Sequence, residues 1–278
     1  MRFLALLLAS VAVLAAETTP ARELRVMTFN LRYASNRPPN DWPTRRPVMK
    51  ACLDETKPDL IGTQEGLVAQ LADVRADLPD YAMLGQGREG GEKGEFMAIF
   101  YRRARFELLE TKDYWLSETP EVVGSKSWGS SLPRMVTWAR FRDKTTQRTF
   151  LFVNTHFDHV SEEARVESAK LVRRRLEALP ADLPLLLAGD FNAAAQASPA
   201  YATLTTGGFL TDLFRAAPQR SGESSNTFHG YRKPREEGVH IDWVLGRGGW
   251  KPRTAAVIKF AQGGEHPSDH FPVMVTLE

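Results

Sequence analysis

The sequence has almost no cysteine: Cys52 is the only one among 278 residues. A single cysteine excludes an internal disulfide and a cysteine-rich zinc site. No H-x-x-x-H helix is predicted, so a zinc-protease site is not indicated either. The formal net charge is only +2, which argues against a dedicated nucleic-acid binder with a broad basic face. Local binding of a few phosphates remains compatible with this charge.

Long hydrophobic runs are missing after residue 16, since no later segment approaches the roughly 18 apolar residues that a membrane helix needs. Residues 1–16 combine a charged start, an apolar stretch and small residues, which predicts a secretory signal peptide cleaved after Ala15 or Ala16. The alternative is an N-terminal membrane anchor, for which the run is short. We therefore expect a signal peptide at 1–16, a short linker at 17–23 and one domain at 24–278, in a secreted or periplasmic protein.

The composition, with 42% hydrophobic and 25% charged residues, is typical of a globular protein. Candidate strands outnumber candidate helices, and the helices are scattered among the strands. The helices are predicted at 44–56, 66–78, 161–179 and 201–206. This order favours an α/β (α+β) fold in which two packed sheets carry helices on their outer faces.

The most informative stretch is Leu185–Asn192. Its apolar residues, bounded by Pro184 and Gly189, predict a short buried strand that ends in a tight turn at Gly189. The turn places Asp190 and Asn192 beyond the end of the strand. An ordinary Asx-type turn is the alternative interpretation.

Other predicted strands also end in polar residues that could take part in chemistry. Asn30, Glu65, His156 and the pair Asp269–His270 lie at such ends, and Asp242 lies within a further strand. Carboxylates and amides without cysteine suit a hard cation such as Mg²⁺ or Mn²⁺. Together with histidine they suit phosphoester hydrolysis, in which a metal and a cationic imidazole stabilise phosphoryl charge and a base activates water.

These residues fall within short motifs spread along the chain. In order, the motifs are Met27-Thr28-Phe29-Asn30, Gln64-Glu65, Asn154-Thr155-His156, Gly189-Asp190-Phe191-Asn192, Ile241-Asp242 and Ser268-Asp269-His270. The set resembles the endonuclease/exonuclease/phosphatase superfamily, which includes DNase I, AP endonucleases, sphingomyelinases, inositol-polyphosphate 5-phosphatases and deadenylases. The resemblance implies a four-layered α/β/β/α sandwich with a metal site at one end of the two sheets.

The resemblance also implies metal-binding roles. Glu65 looks like the main metal ligand, with Asn30 beside it, and Asp269 resembles a further carboxylate near the metal. The implied cofactor is Mg²⁺ or Mn²⁺.

Catalytic roles are implied in the same way. Asp190 resembles the residue that orients or deprotonates the attacking water, and Asn192 one that contacts the phosphate. Asp242 and His270 look like a carboxylate–histidine pair. His156 occupies a position that is histidine in DNase I and tyrosine in AP endonucleases.

Two further residues complete the predicted site. Arg134 resembles a phosphate-contacting arginine, although a structural salt bridge is an alternative. Glu95, in Lys93-Gly94-Glu95, is similar to a DNase I glutamate that partners the histidine, so we predict that it orients His156. A surface charge on a glycine-rich loop is the alternative for Glu95.

The substrate class stays open among nucleic acids, lipid head groups and sugar phosphates, because one fold supports many substrates. The segments Thr155–His159 and Thr227–Gly230 look most like those of secreted bacterial members without an assigned substrate. The leading hypothesis is an exported Mg²⁺-dependent phosphoesterase, with a phosphodiester favoured over a monoester. The alternatives are a secreted DNase or RNase and a catalytically inactive binding module. No stable protein partner is implied, and a monomer is expected.

Overall fold

The computed structural model describes residues 23–232 and 238–278. Residues 1–22, which include the predicted signal peptide and most of the predicted linker, lie outside the described residues. Residues 233–237 lie outside them as well. Within the two described ranges, no helix combines the length and apolarity needed to cross a bilayer.

The helices of the described ranges are α1 Trp42–Thr56, α2 Val68–Asp77, α3 Glu162–Glu177, α4 Pro199–Thr205 and α5 Leu213–Ala216. Helix α1 begins two residues earlier than predicted, because the Asp41 side chain accepts the N–H of Thr44 and caps the helix there. Ser161 caps α3 by accepting the N–H of Ala164, as its sequence pattern suggested. Glu162 and Glu163 follow in the first turn of α3, where the helix dipole favours negative charge.

The strands alternate with these helices along the chain. They are β1 Leu24–Asn30, β2 Leu60–Gln64, β3 Tyr81–Leu84, β4 Ile99–Arg102, β5 Phe106–Trp115, β6 Met135–Asp143, β7 Thr149–His156, β8 Leu185–Asp190, β9 Thr211–Asp212, β10 Gln219–Ser221, β11 Asp242–Arg247, β12 Pro252–Val257 and β13 Val273–Leu277.

The strands form two mixed sheets in the described part of the chain. One sheet has the order β10-β12-β13-β1-β2-β4-β3, and the other has the order β5-β6-β7-β8-β11-β9. Strands β1 and β2 run parallel at the centre of the first sheet, and β7 and β8 run parallel at the centre of the second.

The hydrophobic core is divided into layers by the alternation of side chains along each strand. Leu186 and Ala188 of β8 belong to the core between the sheets, whereas Leu185 and Leu187 belong to the core beneath α3 and α4. A third cluster lies between the first sheet and helices α1 and α2. These layers confirm the four-layered α/β/β/α sandwich, and burial on both faces explains why β8 reads as a continuous apolar run.

A polar bridge joins the two sheets through Asn154 on β7. Its amide donates to the carbonyl oxygens of Thr63 and Ala98, at 2.8 and 2.9 Å, and its Oδ1 accepts from Gln64 Nε2 at 2.8 Å. A Cβ at Gly62 would lie 2.7 Å from Asn154 Oδ1, so only glycine leaves room for this bridge. Asn154 and Gln64 therefore hold the sheets in register next to the residues that form the site.

The predicted turn at Gly189 is wrong, because β8 continues through Gly189 and ends at Asp190. Glycine is needed there for a different reason. A Cβ at this position would lie 2.3 Å from the carbonyl oxygen of Thr155 on the neighbouring parallel strand. The close approach of β7 and β8 brings His156 and Asp190 side by side, as register partners.

Candidate active site

The predicted site residues converge at one edge of the two sheets. Asn30 and Gln64 end the parallel strands β1 and β2, and His156 and Asp190 end the parallel strands β7 and β8. Parallel strands that stand side by side end at the same edge, so these side chains meet there.

The antiparallel strands complete the edge from their starting points. The prediction that Asp242 lies within a strand is wrong, because Asp242 is the first residue of β11, where it pairs with Asp190. Asp269 and His270 precede β13. The resulting pocket has a volume of about 300 Å³ and is lined by Arg32, Tyr33, Glu65, Glu95, Leu132, Arg134, His156, His159, Asp190, Asn192, Phe228, Ile241, Asp269 and His270.

A buried row of charged groups crosses the floor of the pocket. His270 Nδ1 lies 3.0 Å from Asp242 Oδ2, and its Nε2 lies 3.7 Å from Asp190 Oδ2. Burial alone would lower the pKa of His270, but the charges of Asp242 and Asp190 outweigh it and raise the pKa to about 10. His270 is therefore an imidazolium at neutral pH, and the predicted carboxylate–histidine pair is present.

Asp190 is the central carboxylate of the site. Its Oδ2 accepts from Asn30 Nδ2 at 2.9 Å, and its Oδ1 accepts the backbone N–H of Asn192 at 2.9 Å. Burial, followed by the neighbouring charge of Asp242, raises the pKa of Asp190 against the opposing effect of His270 and these hydrogen bonds. A carboxylate with a raised pKa is a better proton acceptor, which suits the role of a general base.

His156 is held as a neutral imidazole. Asn192 Nδ2 lies 3.1 Å from the carbonyl oxygen of Phe157 and 3.0 Å from His156 Nε2. Because a carbonyl oxygen only accepts, the amide nitrogen of Asn192 faces it. His156 Nε2 also lies 3.4 Å from Asp190 Oδ2. Burial, followed by the charges of Arg134 and His270, places the pKa of His156 well below its usual value. Both amide protons of Asn192 are used in these bonds, and its contact with phosphate stays a prediction.

Glu65 and Asp269 form the oxygen-rich side of the pocket, and the buried Asn30 lies beside it. Asn30 Nδ2 donates to Glu65 Oε1 at 3.0 Å, while Asn30 Oδ1 accepts the N–H of Arg32 at 2.9 Å. Asp269 Oδ2 lies 3.7 Å from Arg32 Nε. Ser268 ties the two loops together by donating to the carbonyl oxygen of Asn30 at 2.6 Å.

This oxygen-rich side fits a hard divalent cation. Burial raises the pKa of Asp269. The charge of His270 opposes this effect, and the nearby charge of Glu65 adds to it. A cation between the carboxylates would remove this repulsion, and oxygen donors match Mg²⁺ or Mn²⁺. Asp190, Asp242 and His270 also lie close enough to share an ion.

Left-handed backbone conformations cluster at the site. Arg32, Glu65 and Asn192 have φ angles of 53°, 63° and 48°, although none of them is glycine. Such conformations cost on the order of 1–3 kcal/mol each and persist where the surrounding structure imposes them. The bonds of Asn30, Asp190 and Ser268 impose them here, so side-chain placement at the site takes precedence over backbone preference.

The prediction that Glu95 orients His156 is wrong. Glu95 Oε2 accepts from Arg88 Nη1 at 2.5 Å, and His156 Nδ1 is buried without a hydrogen-bond partner. The loop 85–94 brings Arg88 back onto Glu95 through the bond from Arg88 N to the Glu95 carbonyl oxygen. This arginine lies seven residues from Glu95, and motif comparison alone gave no sign of the pairing.

Arg134 lies in the pocket wall with an exposed fraction of only 3%. Its Nη2 lies 3.0 Å from His159 Nδ1, its Nε lies 3.8 Å from Asp158 Oδ1, and Nε and Nη1 have no hydrogen-bond partner. The alternative of a structural salt bridge is thus only weakly met. A buried guanidinium with unsatisfied donors is suited to receive an anion.

Motif reasoning left several pocket residues without a role. Arg32, Tyr33 and Phe228 all line the pocket. Only their positions in the sequence could have marked them as site residues. Arg32 and Tyr33 directly follow the Asn30 motif, and Phe228 lies in the Thr227–Gly230 segment. His159 follows the His156 motif, and its contact with Arg134 explains its place in the wall.

A sequence model described as "Endonuclease/Exonuclease/phosphatase family" matches residues 27–270. A solved structure of an endonuclease/exonuclease/phosphatase from Bacteroides vulgatus is 36% identical, with a TM-score of 0.86 over 92% of this chain and 99% of that chain. A mannosyl-6-phosphatase from Bacteroides thetaiotaomicron is 35% identical, with a TM-score of 0.84 over the same shares. An uncharacterized protein of Acanthamoeba polyphaga mimivirus is 26% identical over 159 residues, which span 54% of this chain and 59% of the viral protein.

Proposed function

The chain belongs to the endonuclease/exonuclease/phosphatase family, and on that premise we propose that it is an exported, Mg²⁺- or Mn²⁺-dependent phosphoesterase acting on a phosphomonoester of a sugar. The observation that carries the chemistry is the buried row Asp242–His270–Asp190 beside the carboxylates of Glu65 and Asp269. The row supplies a base and a fixed positive charge in one pocket, which phosphoester hydrolysis requires.

Glu65, Asp269 and Asn30 would hold the metal ion, which supplies charge neutralisation at the phosphoryl oxygens when bound. Asp190 accepts the proton of the attacking water while the water oxygen bonds to phosphorus. The P–O bond to the sugar breaks, its electron pair leaves on the sugar oxygen, and this oxygen takes up a proton from solvent to form the alcohol. The His270 imidazolium, kept charged by Asp242, faces the negative charge that develops. Arg134 binds a phosphate oxygen with its unsatisfied donors.

The choice of a sugar monoester departs from the phosphodiester that the sequence favoured. It is supported by the mannosyl-6-phosphatase, which is similar over 99% of its own length. A secreted DNase or RNase is the alternative, and an inactive binding module is the alternative outside enzymes. We keep the proposals of a cleaved signal peptide and a monomer, which N-terminal sequencing and gel filtration would test.

The deciding experiment is hydrolysis after EDTA treatment, with and without added Mg²⁺ or Mn²⁺. The panel contains mannose 6-phosphate, bis-p-nitrophenyl phosphate, single-stranded DNA, RNA and a phospholipid. We expect metal-dependent release of phosphate from the sugar monoester. Turnover of DNA or RNA alone would support the nuclease, and no turnover of any substrate would falsify the enzyme.

The role of Asp190 has a separate test. Asp190→Asn removes the proton acceptor and is expected to lower kcat by about 10²-fold or more. The matched control is Asp182→Asn, which changes an exposed aspartate just before β8 and should leave kcat unchanged. Near-normal kcat in Asp190→Asn would show that another group activates the water.

A further inference from the structure

Phe228 is an exposed aromatic side chain that lines a pocket rich in charged groups. Its exposed fraction is 47%, and with Tyr33 at 38% it is one of two large exposed hydrophobic residues that line the pocket. An exposed aromatic face beside charged groups leaves apolar surface that a bound ligand can cover.

The backbone around Phe228 is fixed on both sides. Thr227 Oγ1 accepts the N–H groups of Ile241 and Asp242 at 2.9 and 3.2 Å, and the Thr227 carbonyl oxygen accepts from Phe271 N at 2.7 Å. On the other side, the N–H of His229 donates to the carbonyl oxygen of Asp269 at 2.9 Å. The segment Thr227–Gly230 is thus bonded into the floor of the site, and its one outward ring is held in place.

Phe228 lies directly beside the reacting groups. Its ring centroid is 4.9 Å from that of His270, at an interplanar angle of 50°, and Phe228 forms an isolated β-bridge with His270. His270 Nε2 is in turn 3.7 Å from Asp190 Oδ2. A group that covers the free face of Phe228 would therefore lie next to the His270–Asp190 pair.

Tyr33 provides a second aromatic surface beside the predicted metal ligands. Its backbone N–H donates to Glu65 Oε2 at 3.2 Å. The Arg32 guanidinium covers one face of the ring, at 4.2 Å from its centroid, which fixes the ring and places a positive charge next to it. The pocket mouth thus combines aromatic surface with cationic groups.

From this arrangement we propose that Phe228 is a specificity-determining residue for the sugar. Its ring, supported by Tyr33, packs against the apolar C–H face of the pyranose that bears the phosphate. This inference rests on the proposed function, since it concerns the same pocket. A nucleobase fits less well, because a ribose separates it from the 5′-phosphate whereas Phe228 touches His270 itself. A pyranose 6-phosphate has one methylene between ring and ester, which matches the short distance.

The test compares two substrates that carry the same phosphate and the same number of carbons, mannose 6-phosphate with its ring and the open-chain mannitol 1-phosphate. Phe228→Ala is expected to lower kcat/KM for mannose 6-phosphate by about 10-fold or more, mainly through KM, in line with the loss of a buried aromatic contact. For mannitol 1-phosphate the loss should stay within about 3-fold, since less apolar surface is in contact. Phe228→Trp should restore most of the preference for the ring.

The control variant is Val123→Ala, which shortens another exposed hydrophobic side chain and should change neither substrate. Equal losses on both substrates in Phe228→Ala would overturn the proposal, because Phe228 would then act through His270 and not on the ring. Undiminished kcat/KM for mannose 6-phosphate would overturn it as well. A 5′-nucleotide is assayed as a third substrate. If Phe228→Ala lowers kcat/KM for this substrate alone, Phe228 binds a nucleobase and the proposal is overturned.

Binding separates this inference from the proposed function. Titration calorimetry of mannose 6-phosphate into Asp190→Asn with Mg²⁺ measures recognition without turnover. Affinity that falls with an added Phe228→Ala supports the ring contact even if the native protein hydrolyses no monoester, in which case only the proposed function fails. No binding of mannose 6-phosphate, or binding that does not depend on Phe228, overturns the ring contact.

Discussion

Two buried arginines in this protein differ in how completely their guanidinium groups are hydrogen-bonded. Arg45 has an exposed fraction of 0%, and its guanidinium donates to five backbone carbonyl oxygens, at 2.8 to 3.1 Å. Arg134 is 3% exposed, but its Nε and Nη1 have no hydrogen-bond partner. Similar burial is therefore accompanied by complete hydrogen bonding in one guanidinium and by unpaired donors in the other.

The acceptors of Arg45 come from three segments around the site. They are the carbonyl oxygens of Leu31, Arg32, Tyr33, Asn40 and Pro267. The first three follow Asn30 and the last precedes the Asp269–His270 pair. Arg45 thus joins the two loops from behind the pocket, whereas Arg134 lines the pocket and has hydrogen-bond donors without a partner.

The largest expected effect is on folding, from Arg45→Met. The substitution leaves the buried carbonyl oxygens of Leu31 and Pro267 without this donor, each costing about 1–3 kcal/mol, so we expect the free energy of unfolding to fall by about 3–5 kcal/mol. Urea denaturation measures the change. Arg46→Met is the matched control on the same helix, because Arg46 forms half-exposed ion pairs with Asp73 and Asp77 and its loss should cost about 1 kcal/mol or less. Equal losses of unfolding free energy at the two positions would show that the backbone bonds of Arg45 do not stabilise the fold.

The reverse pattern is expected for Arg134→Met. Removing a donor of phosphate contacts should lower kcat/KM by about 10²-fold or more, while the melting temperature changes little, because few hydrogen bonds are lost. Phosphate release and thermal melting measure the two effects. Arg140→Met changes a half-exposed arginine on β6 that pairs with Glu110 on β5, and it should leave kcat/KM unchanged. A large fall in stability with unchanged activity would show that Arg134 is structural.

The smallest effect concerns Asp158, which lies beside Arg134. Its carboxylate accepts from Ser131 N, Val160 N and Ser161 N at 2.8 to 3.0 Å. Burial alone would raise the pKa of Asp158, but these bonds and Arg134 outweigh it and hold the pKa well below its usual value. A depressed pKa stabilises the fold above the unfolded pKa of about 3.9, and this contribution is lost as the pH falls further.

Asp158→Asn should therefore reduce unfolding free energy by about 1–3 kcal/mol at pH 7 and by progressively less below about pH 4. Denaturation curves recorded between pH 3 and pH 7 measure the difference. Asp54→Asn, at an exposed aspartate on α1, should show no such convergence. A difference that stays constant with pH would mean that the charge of Asp158 does not contribute.

Much of the site was predictable because its residues lie at the ends of patterned strands. Asn30, Asp190 and the Asp269–His270 pair were each located by the apolar runs next to them. The structure brings Asp190, Asp269 and His270 into one pocket, with Asn30 hydrogen-bonded to Asp190. The pairing of Glu95 was not predictable, since motif comparison pointed to His156 while the folded loop brings Arg88 onto it. The turn at Gly189 was wrong for a similar reason: glycine leaves room for a neighbouring strand, and a neighbour is invisible in the local sequence.

The sequence by itself determined the layered fold, the strand ends and the type of chemistry, because alternation and polar residues at strand ends are local properties. Only the tertiary structure decided which imidazole is charged. Asp242 and Asp190 flank His270, whereas Arg134 and a buried amide surround His156. It also decided which arginine is satisfied and which aromatic ring faces the pocket. These properties depend on groups distant in sequence, whose charges and hydrogen bonds act only after the sheets have packed.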